Sequence, residues 1–115
     1  MTHKQFEDYI LQFPNTWLDF PFGEGISVYK VGDPVEKEGK MFALIQDATN
    51  PLQVSLKCAP ELAVTLRERY ESVQPGYHLN KKHWNTILCS GQLSDEEVLD
   101  LVRHSYQLVA PSQEL

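Results

Sequence analysis

The chain is 115 residues long, with 42% hydrophobic, 23% charged and 10% aromatic residues, the length of a single domain spanning 1–115 and the composition of a folded one. Sixteen acids against ten Lys and Arg leave a formal net charge of −6, so nucleic acid can be engaged only by a local patch and never by the molecule as a whole. The longest unbroken apolar stretch, Met41–Ile45, is far short of the roughly 20 residues of a membrane-spanning helix.

Met1–Gln5 precedes an amphipathic pattern rather than a signal-peptide hydrophobic run. Cys58 and Cys89 are too few for a disulfide-built scaffold. A cytoplasmic protein with both thiols reduced is the expectation, and a monomer without membrane contact.

Thr2, with Gln5 three residues on, has the spacing of a capping box. Phe6, Tyr9, Ile10 and Phe13 then fall at helical spacing, which predicts a helix over 3–13 that stops at Pro14. Residues 14–25, rich in Pro, Gly and aromatics, read as an extended packed connection with a short strand around Leu18–Phe20. Three strands are expected next, at Ile26–Val31, Lys40–Gln46 and Leu52–Lys57. The last alternates, with Leu52, Val54 and Leu56 inward and Gln53, Ser55 and Lys57 on the other face. Gly32–Gly39 reads as a charged, solvated hairpin loop, Asp47–Pro51 as a turn, and the whole as an antiparallel meander.

Pro60 suits the first turn of a second helix, with Leu62, Ala63, Leu66 and Tyr70 as its apolar stripe. Gln74-Pro75-Gly76 reads as a turn and Trp84–Cys89 as a fourth strand. Ser94 and Glu97 open a final helix that packs Val98, Leu101, Val102, Ser105 and Val109 and ends before Pro111, leaving a frayed terminus. The order predicts an α+β fold, with helices on one face of an antiparallel sheet and the other face comparatively open. The expected core is Phe6, Ile10, Phe42, Leu44, Val54, Leu56, Leu66, Trp84, Leu101 and Val102.

Tyr77–Thr86 contains two lysines, two histidines and no acid. It reads in two ways. As an anion site, its Lys and Asn side chains contact phosphate oxygens while Trp or Tyr stacks on an unpaired base. As a plain β-turn, it displays solvated lysines over a buried Trp84. Pro75-Gly76 is expected to turn the chain so that Trp84 enters the sheet and Lys81 and Lys82 stay exposed.

His78 and His83 lack the second ligand pair of a zinc loop. Cys58, just before a helix start, is a candidate for an activated thiol, yet nothing identifies its base, and a buried inert cysteine is the simpler reading. Glu96 and Asp100 are explained by the helix dipole, and Gly23-Glu24-Gly25 lacks the rest of a dinucleotide fingerprint. No enzymatic role, cofactor or metal is assigned.

Asp19-Phe20-Pro21-Phe22-Gly23, Lys40-Met41-Phe42-Ala43, Ser55-Leu56-Lys57, the run Pro75–Thr86 and Ser105-Tyr106 together resemble the MmcQ/YjbR family of small bacterial proteins. The charged Gly32–Gly39 tip departs from that pattern, where a tighter hairpin is expected. The resemblance implies a frataxin-like α+β fold, also described as a double wing, with proposed DNA binding. The iron-binding acidic ridge of frataxin itself has no counterpart, since the first helix carries only Glu7 and Asp8.

Two functions follow as expectations. One is a non-enzymatic nucleic-acid-binding domain in which Lys57, Lys81 and Lys82 contact phosphates. His78, Asn80, His83 and Asn85 then serve as supporting donors, and binding is weak and salt-sensitive. The other is a protein- or small-ligand-binding module using Asn80, Trp84 and the open sheet face.

Overall fold

In the computed structural model the described residues are 1–46, 49–76 and 79–110. Thr2 caps α1 (His3–Ile10) as its spacing predicts: the hydroxyl accepts from the Gln5 N–H and the Gln5 side chain accepts from the Thr2 N–H. The helix ends three residues earlier than expected. Pro14 disfavours helical geometry at Phe13, and the Gln12 and Phe13 amides fall back to the carbonyls of Tyr9 and Ile10.

Six strands follow the order β1-β2-β3-β4-β6-β5, every pair antiparallel. They are β1 (Thr16–Asp19), β2 (Ile26–Asp33), β3 (Glu38–Gln46), β4 (Gln53–Lys57), β5 (Val73–Pro75) and β6 (Trp84–Leu88), with α2 (Pro60–Arg69) between β4 and β5 and α3 (Asp95–Val109) at the end. The predicted β2–β3 loop shrinks to residues 34–37, because the strands pair as far as Asp33↔Glu38. Asp33 Oδ1 closes the tip by accepting from the Val35 and Glu36 amides. β5 corrects the turn expected at Gln74-Pro75: a strand of three residues at a sheet edge tolerates proline, and its pairing comes from β6 rather than from local sequence.

The helix-covered face holds the main core, in which Phe6 and Ile10 of α1 and Val98 and Val102 of α3 meet Tyr29, Val31, Phe42, Ile45, Val54, Leu56 and Ile87. Leu44 and Trp84 are buried as expected but on the opposite face, where they pack with Val28 under Ile26, Met41 and Leu79. Leu66 and Leu101 are only half-buried at the core margin. The helix stripe is right, but these two positions sit at its rim.

One irregularity matters for the site. Tyr29 pairs with Ala43 and Lys30 with Met41, so Phe42 is an extra residue in β3, a bulge that bends the strand. The β3–β4 ladder runs only to Ala43↔Leu56. Where it stops, Ser105 Oγ from α3 accepts from the Lys57 N–H at 3.0 Å and donates to the Phe42 carbonyl. Tyr106 beside it stacks on Phe13, meets Phe42 edge-on and donates to the Pro14 carbonyl at 2.8 Å. The Ser105-Tyr106 pair thus fastens α3 across the bulge.

Candidate functional site

Alternation along β6 sends Trp84 and Thr86 to the open face and Asn85 and Ile87 under the helices. Trp84 is 7% exposed, which fits the expected entry of this ring into the sheet and leaves it a floor rather than a stacking platform. Gly76 makes the close approach possible: a Cβ there would lie 2.7 Å from the Trp84 Cβ.

Residues 80–83 form a tight turn. Asn80 Oδ1 accepts from the Lys82 N–H at 3.0 Å, and its carbonyl accepts from the His83 and Trp84 amides. Lys81 and Lys82 are exposed as expected. The only contact of Lys81 Nζ among the described residues is a long one of 3.5 Å to the Gly76 carbonyl. Lys57 pairs across the ladder with Trp84, and the Cys58 N–H donates to the His83 carbonyl at 2.7 Å. The backbone therefore brings Lys57 and the 80–83 turn to one end of the sheet. Among the described residues none of the three lysines pairs with a carboxylate.

Of the remaining expected donors, Asn80 and His83 belong to this turn, His78 lies outside the described residues, and Asn85 points elsewhere. Asn85 is 2% exposed. Its Nδ2 donates to the Ala63 carbonyl at 3.2 Å and its Oδ1 accepts from Arg67 Nη1 at 3.0 Å. The alternation of β6 makes this inevitable, since Asn85 follows the outward-facing Trp84. Its place is to hold Arg67.

Arg67, not among the sequence-derived site residues, completes the cluster: its Nη1 also donates to the Lys81 carbonyl at 2.8 Å. Its position in the last turn of α2 suits the helix dipole, and only the tertiary contact reveals the second role. Burial raises the Cys58 thiol above its ordinary range, opposed by the nearby Arg67 charge, so Cys58 is the inert thiol. Among the described residues no group of three or more His, Cys, Asp and Glu is placed to hold a metal ion, and no helix is long and apolar enough to cross a membrane.

The open face carries a second feature. A cavity of about 470 Å³ lies over β3, β4 and β6, lined by Phe22, Ile26, Leu44, Gln46, Gln53, Ser55, Leu79 and Thr86. Gln53 and Ser55 face it as their alternation predicts.

A YjbR family model matches residues 11–108. The "Uncharacterized protein YjbR" of Escherichia coli (strain K12) is 42% identical over 73 residues, and the chain spans only 62% of that relative's length. The "Uncharacterized protein YbdF" of Escherichia coli O157:H7 is 32% identical over 93% of this chain and 83% of its own. Among solved structures, the Deinococcus radiodurans protein DR2400 superposes with a TM-score of 0.87 at 37% identity, covering 93% of this chain and 77% of that one. A Pseudomonas syringae protein superposes with a TM-score of 0.77 at 30% identity, over 95% and 99% of the two chains.

Proposed function

The chain belongs to the YjbR family, and from that premise we propose that it is a non-enzymatic nucleic-acid-binding domain that holds phosphates at the Lys57 end of its sheet. One observation carries the reading. Four of the ten basic residues, Lys57, Arg67, Lys81 and Lys82, lie where β4, α2 and the 80–83 turn are tied together by backbone and guanidinium hydrogen bonds. The other basic residues are largely engaged: Lys4 with Asp8, Lys30 with Asp19, Lys37 over Trp17, Arg69 over Tyr70 and Arg103 with Tyr9.

Each ammonium is a point charge for a phosphate oxygen, and the Asn80 turn limits how far Lys81 and Lys82 wander. With the whole molecule at −6, attraction is confined to this end, so binding is weak and falls steeply with salt. Phosphate contacts carry no base information, so this end by itself binds all sequences alike.

The test is fluorescence anisotropy over a salt series with random duplex and single-stranded DNA. Lys81→Ala combined with Lys82→Ala should weaken binding similarly across sequences and flatten the salt slope by roughly one to two units, at about 0.9 per lost duplex contact. Absence of binding at low salt, or binding that the double substitution leaves unchanged, refutes the assignment.

A further inference from the structure

We propose that the cavity on the open sheet face is a pocket for one unpaired nucleobase, so that the domain takes its nucleic acid as a single strand. The inference rests on the phosphate-binding reading of the Lys57 end and adds what that end cannot supply, a reason to prefer one form of nucleic acid.

The lining selects the chemistry. None of the eight described lining residues is ionisable, and burying a charge against these walls would cost free energy. Phe22, Ile26, Leu44 and Leu79 supply carbon surface. Among the described lining residues the polar side chains form two cross-strand pairs, Gln46↔Gln53 and Ser55↔Thr86. Ser55 Oγ and Thr86 Oγ1 lie 2.8 Å apart; that mutual bond spends one hydroxyl hydrogen and leaves the other, with free lone pairs, for a ligand. Among the described residues neither glutamine side-chain amide makes a hydrogen bond, while the Gln53 backbone N–H donates to Thr49 Oγ1 at 3.2 Å. Apolar walls with a few neutral donors and acceptors on one side fit a flat heterocycle, whose faces are apolar and whose edge carries amino, imino and carbonyl groups.

The register supplies the link to phosphate. On the open face of β4, Ser55 lies two residues from Lys57, about 7 Å along the strand. Leu79, on the cavity wall, immediately precedes Asn80-Lys81-Lys82. A base in the cavity therefore leaves its own sugar-phosphate within reach of the lysines. Phe22, 55% exposed on the loop after β1, is the ring available for stacking, in place of the buried Trp84. In a duplex the base is stacked and paired, and entering the pocket costs its extraction.

Two probes separate the pocket from the lysines. Adenosine, which carries no phosphate, is titrated into the ¹⁵N-labelled full chain and should shift the amides of Leu44, Ser55 and Thr86. A short oligodeoxyadenylate and its duplex with oligothymidylate are compared by anisotropy, and the single strand should bind about tenfold tighter, the worth of one stacked base. Phe22→Ala, at an exposed position that leaves folding intact, should abolish the adenosine shifts and the strand preference while duplex binding stays unchanged. Gln53→Leu should weaken adenosine without touching the salt slope.

Lys81→Ala with Lys82→Ala should weaken both oligonucleotides and leave the adenosine shifts in place. Absent or scattered adenosine shifts, or equal binding of strand and duplex that Phe22→Ala does not alter, overturn the pocket and leave the phosphate reading standing. Localised adenosine shifts without oligonucleotide binding uphold the pocket and remove the phosphate reading instead.

Discussion

Ser105→Ala should destabilise the domain far more than removing one hydroxyl from a helix ordinarily does. In an exposed helix position the change is mildly favourable, by about 0.5 kcal/mol. Here the side chain is fully buried and its hydroxyl stands between two backbone groups that the bulge at Phe42 has removed from the ladder. It accepts from the Lys57 N–H and donates to the Phe42 carbonyl. Alanine leaves both without their partner in the interior, at roughly 1–3 kcal/mol each, and the helix propensity gain offsets little of that. The expected loss is about 2–4 kcal/mol, a large part of the roughly 5–15 kcal/mol that holds a domain folded. In urea, with a slope of about 1–3 kcal/mol/M, this lowers the midpoint by about 1–2 M at unchanged slope. Hydrogen exchange should quicken first at the Lys57 amide. A midpoint shift below about 0.3 M, with Lys57 still protected, would falsify the claim that this hydroxyl closes the gap in the ladder.

Three further outcomes test other parts of the argument. Gly76→Ala should cost about 1–3 kcal/mol by overpacking, since its Cβ would sit 2.7 Å from the Trp84 Cβ and 3.2 Å from the Trp84 carbonyl oxygen; a variant as stable as the parent in urea means that Trp84 is not held against this turn. Burial raises the Cys58 thiol, so a disulfide reagent should label it slowly at neutral pH in the folded protein, and labelling as fast as in urea contradicts an inert Cys58. Asp19 accepts from Lys30 Nζ at 2.9 Å and from the Phe20 N–H at 2.8 Å, and the ammonium bond above all holds its carboxyl below the usual range. A depressed carboxyl stabilises the fold above its unfolded pKa of about 3.9, and that contribution is lost as pH falls through the lower folded value; Asp19→Asn should therefore flatten the acid side of the stability profile, and parallel profiles would sink the assignment.

Much of the architecture was legible because local chemistry and tertiary demand agree. Thr2 with Gln5 and Ser94 with Glu97 cap their helices as spacing alone predicts, and the alternation of β4 places Gln53 and Ser55 on the open face. What escaped local reasoning depends on distant partners. β5 is three residues containing a proline, and it is a strand only because β6 lies beside it. Arg67 belongs to the basic cluster through a carbonyl fourteen residues away. Asn85 looked like a donor because it sits in a polar run, whereas the period of the strand turns it inward to Ala63 and Arg67. The cavity had no local signal beyond the alternation of β4, because its walls come from the loop after β1, four strands and the turn before β6.

On the proposed phosphate-binding reading, the β2–β3 hairpin bears on which nucleic acid the Lys57 end would accept. β4 stops level with Phe42, while β3 runs on to Glu38, so the hairpin projects about 13 Å past Lys57 at roughly 3.3 Å per residue. A hairpin that gripped phosphates would carry a positive tip. This one exposes Asp33, Glu36 and Glu38, and Lys37 is drawn over the Trp17 ring, 5.6 Å from its centroid. At physiological salt the Debye length is about 8 Å, so these carboxylates are largely screened from a short strand seated between Lys57 and the 80–83 turn. A stiff duplex resting on the same lysines extends across the end of the sheet and brings phosphates against the tip. Replacing both Glu36 and Glu38 by Lys, two exposed positions away from the core, should therefore strengthen duplex binding and steepen its salt slope by about one to two units. The affinity for a single strand of a few nucleotides should stay nearly unchanged. An equal gain for both probes would show that the acids act through net charge alone, and no gain for duplex would place the bound nucleic acid away from this end of the sheet.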